Sequence, residues 1–319
     1  MEKNLSFLEA RQAPDLIDNA LKNRQLSENS INLYKRNLLK LNDNKPVKNF
    51  NFLRNKEGVI DKIKNLKPTT QRSYIISICS ILRDNPKFKK IYDEYFILLK
   101  EFNNNLKVNT DKSETQEKNW ITQIEVIDIH KKLKEEVLIL LNKKRKIEKE
   151  GFNKLLNFMV LSLYTLISPR RNKDYSLMKI SSNVENDNFN YLVIDKKLNM
   201  KFTLNKYKTD KKYHSINIDI PDPLKEVIIL YLKYHPLKNE LKKQEYDIPF
   251  LVDEKGNAMK ISTEITKILN KIFNKKISLS MLRNIFLTDK YTDVMTELKN
   301  DTKNMGTSVS TALNNYIKD

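Results

Sequence analysis

The chain has 319 residues, with 59 Lys and Arg against 40 Asp and Glu, and its formal net charge of +19 is spread along the whole length. That length accommodates two domains, and the charge points to a polyanionic partner such as DNA or RNA, the other reading being a purely solubilising surface. One cysteine, Cys79, and three scattered histidines, His130, His214 and His235, exclude a disulfide framework and a Cys- or His-dominated metal centre, so no structural metal and no cofactor is expected. Met1 to Gln12 lacks the apolar core of a signal peptide. The most apolar run, Leu155 to Ile167, is broken by Asn157, Ser162 and Thr165 and is shorter than a membrane span, so an intracellular, reduced, soluble protein is expected.

From Phe7 to Leu106 the pattern predicts short helices over Ala13–Arg24, Ser30–Leu41, Gly58–Asn65, Thr69–Arg83 and Phe88–Phe102, with Ser27 and Thr69 as N-caps and Pro68 and Pro86 as breaks. Ile31, Tyr34, Leu38 and Leu41 share one helix face, and Tyr74, Ile75, Ile78, Ile81 and Leu82 another. A helical bundle is therefore expected over residues 1–106, with Lys35, Arg36, Lys40, Arg72 and Arg83 on its polar faces. Asn103 to Asn119 is almost devoid of apolar residues and reads as an interdomain linker, assigned to 107–119.

The second domain, 120–319, opens with a charged helix from Thr122 to about Glu150 whose stripe is Val126, Ile129, Leu133 and Val137. Lys143 to Lys149 reads as a solvated face or helix end. Phe152 to Ile167 is apolar nearly all round, the mark of a central buried helix. The period then changes to alternation over Tyr191–Asp195, Met200–Leu204 and His214–Ile218, predicting three antiparallel strands with a basic connection, Asn205 to Lys212, between the last two. Helices over Pro223–Tyr234 and from a Ser262 cap to Phe273 follow, with a short strand Ile248–Val252 and a turn at Gly256 between them. Leu279, Leu282, Ile285 and Phe286 bury one side of the helix carrying Arg283, and Val309, Ala312, Leu313 and Tyr316 recur at helical spacing after Gly306. By that spacing alone Tyr316 is a core tyrosine. The expected fold is thus mainly α with a small antiparallel β-sheet, an N-terminal helical domain preceding an α+β domain.

Four local patterns occur in order. Ser168-Pro169-Arg170-Arg171 leaves the apolar helix, with Asp174 three and Met178 seven residues after Arg171; Lys208-Thr209 lies in the basic connection; Ser280-Met281-Leu282-Arg283 precedes Phe286-Leu287-Thr288; and Met305-Gly306-Thr307-Ser308 precedes Tyr316, nine positions after Thr307. Together these resemble the tyrosine recombinase, or phage-type integrase, family. Its members read G-L-R-x-x-E-x-x-x-L, then G-K-T on a hairpin, H-x-x-R-H-x-F-x-T, L-G-H-S, and a nucleophilic tyrosine. The resemblance spans about 200 residues, and more loosely the first hundred, where Ser27 to Tyr34 fits the S-x-x-S-x-x-x-Y opening of the family's core-binding domain. Both family histidines are absent: Ser280 and Thr307 stand in their places.

The resemblance implies that Tyr316 attacks a DNA phosphodiester to give a 3′-phosphotyrosyl link. Arg171 and Arg283 would neutralise the phosphorane without metal or ATP, and Lys208 would protonate the leaving 5′-oxygen. Arg170 and Lys206 are the alternative arginine and lysine. Ser280 and Thr307 can donate from a hydroxyl but do not titrate near neutral pH, and His214, near the basic connection, is a substitute candidate. The implied partner is double-stranded DNA, bound as a homo-tetramer by a chain that is monomeric or dimeric without it, in a nucleus, nucleoid or viral factory. Three functions follow from the resemblance: an active recombinase of a mobile element or virus, a DNA-binding relative that no longer cleaves, and a type IB topoisomerase.

Overall fold

The structure, a computed structural model, describes residues 16–24, 26–106, 112–142, 147–243 and 248–318. The chain divides into two compact units, Met1–Asp111 and Lys112–Asp319.

The first unit is helical throughout its described part: α1 (Leu16–Leu21), α2 (Glu28–Leu41), a 3-10 turn at Asn51–Arg54, α3 (Lys56–Ile63), α4 (Pro68–Leu82), a second 3-10 turn at Pro86–Phe88, and α5 (Lys89–Leu106). Ser27 caps α2, its Oγ accepting from the Ser30 amide at 3.3 Å. Thr69 does not cap α4, because Pro68 takes the first helical position and Lys67 becomes the cap. Leu38 and Leu41 of α2 meet Ile75, Ile78 and Leu82 of α4 in one core that also takes in Leu53, Val59 and Tyr95. Tyr95, fully buried, donates its hydroxyl to the Leu53 carbonyl at 3.0 Å, and Asn37 reaches Ser77 Oγ at 2.9 Å. Residues 13–15 of the first expected helix lie outside the described residues.

The stretch read as a linker is partly ordered by its own chemistry. Helix α5 continues to Leu106, and Glu114–Asn119 forms α6, started by a reciprocal capping box in which Ser113 Oγ accepts from the Gln116 amide while the Gln116 side chain accepts from the Ser113 amide. Residues 107–111 lie outside the described residues.

In the second unit, α7 (Gln123–Leu141) starts at the Thr122 cap, and α8 (Lys149–Thr165) is buried along most of its length. Helices α7, α11 (Asp222–Lys233) and α13 (Ser262–Phe273) pack around α8. The Lys143–Lys149 run is described only from residue 147. Ser262 is the first residue of α13 and not its cap.

The sheet has five short strands, β1 (Lys179–Ser181), β2 (Tyr191–Ile194), β3 (Met200–Leu204), β4 (Ile216–Asp219) and β5 (Ile248–Pro249), in the order β4-β3-β2-β1-β5. It is mixed, not antiparallel as expected, because β1 runs parallel to β2 with Lys179 opposite Tyr191, while the other pairs are antiparallel. Three residues, Lys-Ile-Ser, are too few for alternation to register as a strand. The β4 strand begins two residues later than expected because His214 has φ 54°, a left-handed conformation that breaks an extended run. The remaining elements are the short helices α9 (Asn172–Tyr175), α10 (Asp210–Tyr213) and α12 (Lys238–Lys242), the long α14 (Leu279–Asn304), and a terminal helical segment, α15 (Val309–Thr311), that widens into a π turn over Ala312–Tyr316. Among the described residues no helix is long and apolar enough to cross a membrane.

Candidate active site

The arginine motif sits where α8 ends. Pro169 breaks the chain, Arg171 takes an extended conformation (φ −70°, ψ 143°) as the residue before α9, and the single turn of α9 is pinned by Asn172. That buried amide accepts from Tyr164 Oη at 2.8 Å and donates to Ser262 O at 3.0 Å and Thr266 Oγ1 at 2.9 Å, fastening the turn to α8 and α13. One helical turn supplies little of the dipole that a long helix would offer a phosphate, so anion binding here rests on side chains.

The arginine bonded to Asp174 is Arg170, not Arg171, on which the motif spacing was aligned. Asp174, almost wholly buried, accepts from Arg170 Nε at 3.0 Å, and the pair is i,i+4. Burial pushes the Asp174 carboxyl above its usual range against the opposing pull of Arg170, and its Oδ1 has no hydrogen-bond partner among the described residues. The Arg170 guanidinium also lies over the Tyr207 ring, 5.6 Å from its centroid. Arg171 is half-buried, and its guanidinium has no hydrogen bond or ion pair among the described residues. Arg170 is thus bonded within the protein, while the Arg171 side chain acts on Asp174 only through its charge.

The basic connection is not a plain hairpin tip. Tyr207 is buried and donates its hydroxyl to His214 O at 2.7 Å, across the one-turn helix α10. Lys206 and Lys208 flank this anchor, and both are exposed. Asn190, buried just before β2, uses its whole amide to join the connection to the arginine turn. Its Nδ2 donates to Asp174 O at 2.8 Å and Lys206 O at 3.0 Å, and its Oδ1 accepts from the amides of Asn205 at 2.9 Å and Lys206 at 2.8 Å. The structure therefore brings the Arg170-Arg171 turn and the Lys206–Lys208 segment together. Asn190 and Tyr207 escaped the sequence reading because a lone Asn before a strand carries no motif. His214, exposed at the end of α10, engages this network through its carbonyl.

Arg283 lies in the second turn of α14, half-buried beside the buried Met281, Leu282 and Ile285, with Ser280 exposed one turn earlier. Beyond Ile285 the helix leaves the core. Leu287, Tyr291 and Val294 are exposed, and of the later residues only Thr302 is buried. From Arg283 to the last turn the axis runs roughly 30 Å. A Schellman motif then stops the helix: Gly306 takes φ +67°, its amide bonds Lys303 O at 3.1 Å, and the Thr307 amide bonds Thr302 O at 2.9 Å. Gly306 and Thr307 thus have a local structural reason for their positions. Ser308 caps the segment that follows, its Oγ accepting from the Thr311 amide at 3.1 Å.

Tyr316 ends that segment and is 59% exposed, so within this chain it is not the core tyrosine that its spacing suggested. Of the expected apolar face only Ala312 is buried. No hydrogen bond or ion pair among the described residues joins Tyr316 to Arg171, Lys208 or Arg283, or Thr307 to Ser280.

No family model matches this chain, and no curated protein matches it either.

Two further features bear on charge. In the first unit, Arg36 and Lys40, both exposed, line a groove of about 430 Å³ together with Thr69, Thr70 and Ser73. Of the other cations expected on that unit's polar faces, Lys35 pairs with Asp18 at 2.6 Å, Arg72 donates to Asn103, and Arg83 is exposed. In the second unit His130 and His235 are buried, and desolvation lowers both to about 4, so they are neutral near pH 7. Ser162 gives its proton to Phe158 O, which makes His130 Nε2 the donor to Ser162 Oγ at 2.8 Å. Both histidines are core residues. Among the described residues no group of three His, Cys, Asp or Glu side chains is placed to hold a metal ion.

Proposed function

We propose that the chain is a tyrosine-recombinase-type enzyme that binds duplex DNA and breaks and rejoins a strand through Tyr316. The observation that carries this reading is the fastening of the arginine turn to the Lys206–Lys208 segment by Asn190 and by the Arg170–Tyr207 contact, with Arg171 and both lysines left to face a ligand. A phosphodiester placed there would meet a planar bidentate donor and a mobile proton donor from adjacent segments. In the proposed reaction the Tyr316 oxygen attacks phosphorus, its proton is released, and the P–O5′ bond breaks. Arg171 and Arg283 stabilise the pentavalent state, and Lys208 gives a proton to the departing 5′-oxygen. Reversal by a partner strand's 5′-hydroxyl rejoins the DNA. Assembly as a homo-tetramer on duplex DNA, and residence at DNA in the cell, belong to the same proposal.

A second reading, a DNA-binding relative that does not cleave, is favoured by the exposure of Tyr316 and by the non-titrating Ser280 and Thr307. A nicked duplex that traps covalent protein separates the two. Wild type is expected to form the adduct, and Tyr316→Phe to form none while its DNA affinity changes by less than about 2-fold, since one hydroxyl is lost. An adduct formed by Tyr316→Phe removes Tyr316 as nucleophile. Absence of adduct from wild type and from Ser280→His and Thr307→His leaves the second reading.

A further inference from the structure

Asn190 carries no assigned chemical role and Arg170 only that of the alternative arginine, yet both join the arginine turn to the basic connection. Asn190 spends two donors and two acceptors on four backbone groups, one in the turn and three in the connection. An amide with all four positions used cannot rotate without breaking at least two of these bonds. Arg170 works from the other side. Its Nε is held by buried Asp174, so its guanidinium plane is fixed over the ring of Tyr207, the residue between Lys206 and Lys208. Tyr207 in turn closes the far end of the connection through His214 O. Solvated lysines on a free loop would lose conformational entropy each time they met a phosphate, and this framework removes most of the backbone share of that loss beforehand.

We infer that Asn190 and Arg170 are positioning residues that set Lys208 in register with Arg171, so that both side chains meet one phosphate. The inference rests on the proposed reading of the site as phosphate-binding, but not on strand cleavage. It also assigns the neighbouring arginines opposite duties: Arg170 holds the connection, and Arg171 contacts the ligand.

The test is a binding cycle on a short duplex read as the slope of log affinity against log salt, using the full-length protein. Lys208→Ala should lower the wild-type slope by about one, the signature of one lost phosphate contact. In Asn190→Ala, and separately in Tyr207→Leu, the same Lys208→Ala change should lower it by less than half as much, because Lys208 is no longer held at the phosphate. Tyr207→Phe keeps the ring beneath Arg170 but loses the bond to His214 O, so it should fall between wild type and Tyr207→Leu, and Arg170→Lys should restore more of the Lys208 effect than Arg170→Gln. A cooperative melt on each variant checks its fold, and Tyr207→Leu keeps the test alive if Asn190→Ala does not fold. Equal slope losses in all backgrounds, or no loss on Lys208→Ala in wild type, overturn the inference. On the trapping substrate at saturating protein, Asn190→Ala should lower the single-turnover cleavage rate about 10-fold, with no further loss when Lys208 is already alanine. If wild type binds but never cleaves, the recombinase reading falls and the slopes alone decide the inference; if it does not bind DNA, both fall.

Discussion

Two parts of the second unit carry the candidate chemistry in opposite ways. The arginine turn and the basic connection are cross-linked to each other and to α8 and α13 through Asn172, Asn190, Asp174 and Tyr207, all of them buried. The segment with Tyr316 hangs from the far end of α14, whose outer half exposes Tyr291 and Val294 and buries only Thr302. One part is fastened by buried polar groups from several elements. The other has its local geometry fixed, by a Schellman stop and a Ser308 cap, while its place relative to the arginines is left open. A fold invests buried polar networks where several groups must be held together, since each unsatisfied member is costly. The C-terminal segment carries one candidate side chain, the exposed Tyr316, and the described residues show no such network around it.

Acid should expose this difference most strongly. His130 and His235 have folded values of about 4 against an ordinary 6.5, so the unfolded chain takes up protons first as pH falls. The stability they contribute is fully present above about pH 6.5 and is lost as pH drops through 4, at roughly 3 kcal/mol per histidine at most. Asp174, shifted upward, acts in the opposite sense and offsets part of the loss. Trp120, the single tryptophan, lies in this unit, so its fluorescence in urea at pH 7 and pH 4.5 reads the effect directly. Equal midpoints at the two pH values would contradict the buried, neutral assignment.

Arg170→Ala comes next in size. It leaves Asp174 buried without its cation, a loss of about 3 kcal/mol, and Asp174→Asn in the same chain should recover part of it. A melt within a degree of wild type would mean that the turn is not fastened as described. Arg171→Ala and Arg283→Ala should leave the melting temperature nearly unchanged while each lowers trapping on nicked duplex by about 100-fold or more. The smallest effect belongs to the outer helix: Tyr291→Ser and Val294→Ser are expected to change monomer stability by less than about 0.5 kcal/mol. A drop of 2 kcal/mol at either position would show that this face is packed, and the contrast between the two regions would dissolve.

Periodicity made the helices legible where one face is buried. The α2 stripe at Leu38 and Leu41 and the all-round apolar run of α8 predict their elements to within a few residues. Polar composition gave no sign of the helix at Glu114–Asn119 inside the stretch read as a linker, although a Ser-x-x-Gln capping box was present to be read. The parallel strand β1 was invisible because its partners are set by tertiary packing, not by its own three residues. At the candidate site, sequence order singled out two arginine segments and the lysine connection, of which the structure joins the Arg170-Arg171 turn to the Lys206–Lys208 segment. Motif spacing favoured Arg171 over Arg170, but it carried no information on which arginine bonds Asp174, since that carboxylate lies about one helical turn from both. Asn190 was illegible for a related reason: its four partners come from two segments that are distant in sequence from each other.

The continuity of α14 has a mechanical consequence. An uninterrupted helix whose buried apolar side chains, among the described residues, all lie in its first two turns can act as a lever arm, and a tilt of about 10° at its root swings a tip roughly 30 Å away through about 5 Å. That stroke is larger than the span of a hydrogen bond, so a small repacking of Met281, Leu282 and Ile285 against the body would translate into a large displacement of Tyr316. The angle at which the helix leaves the core, set at Met281, Leu282 and Ile285, is therefore the coordinate that would aim the Tyr316 hydroxyl in the proposed reaction.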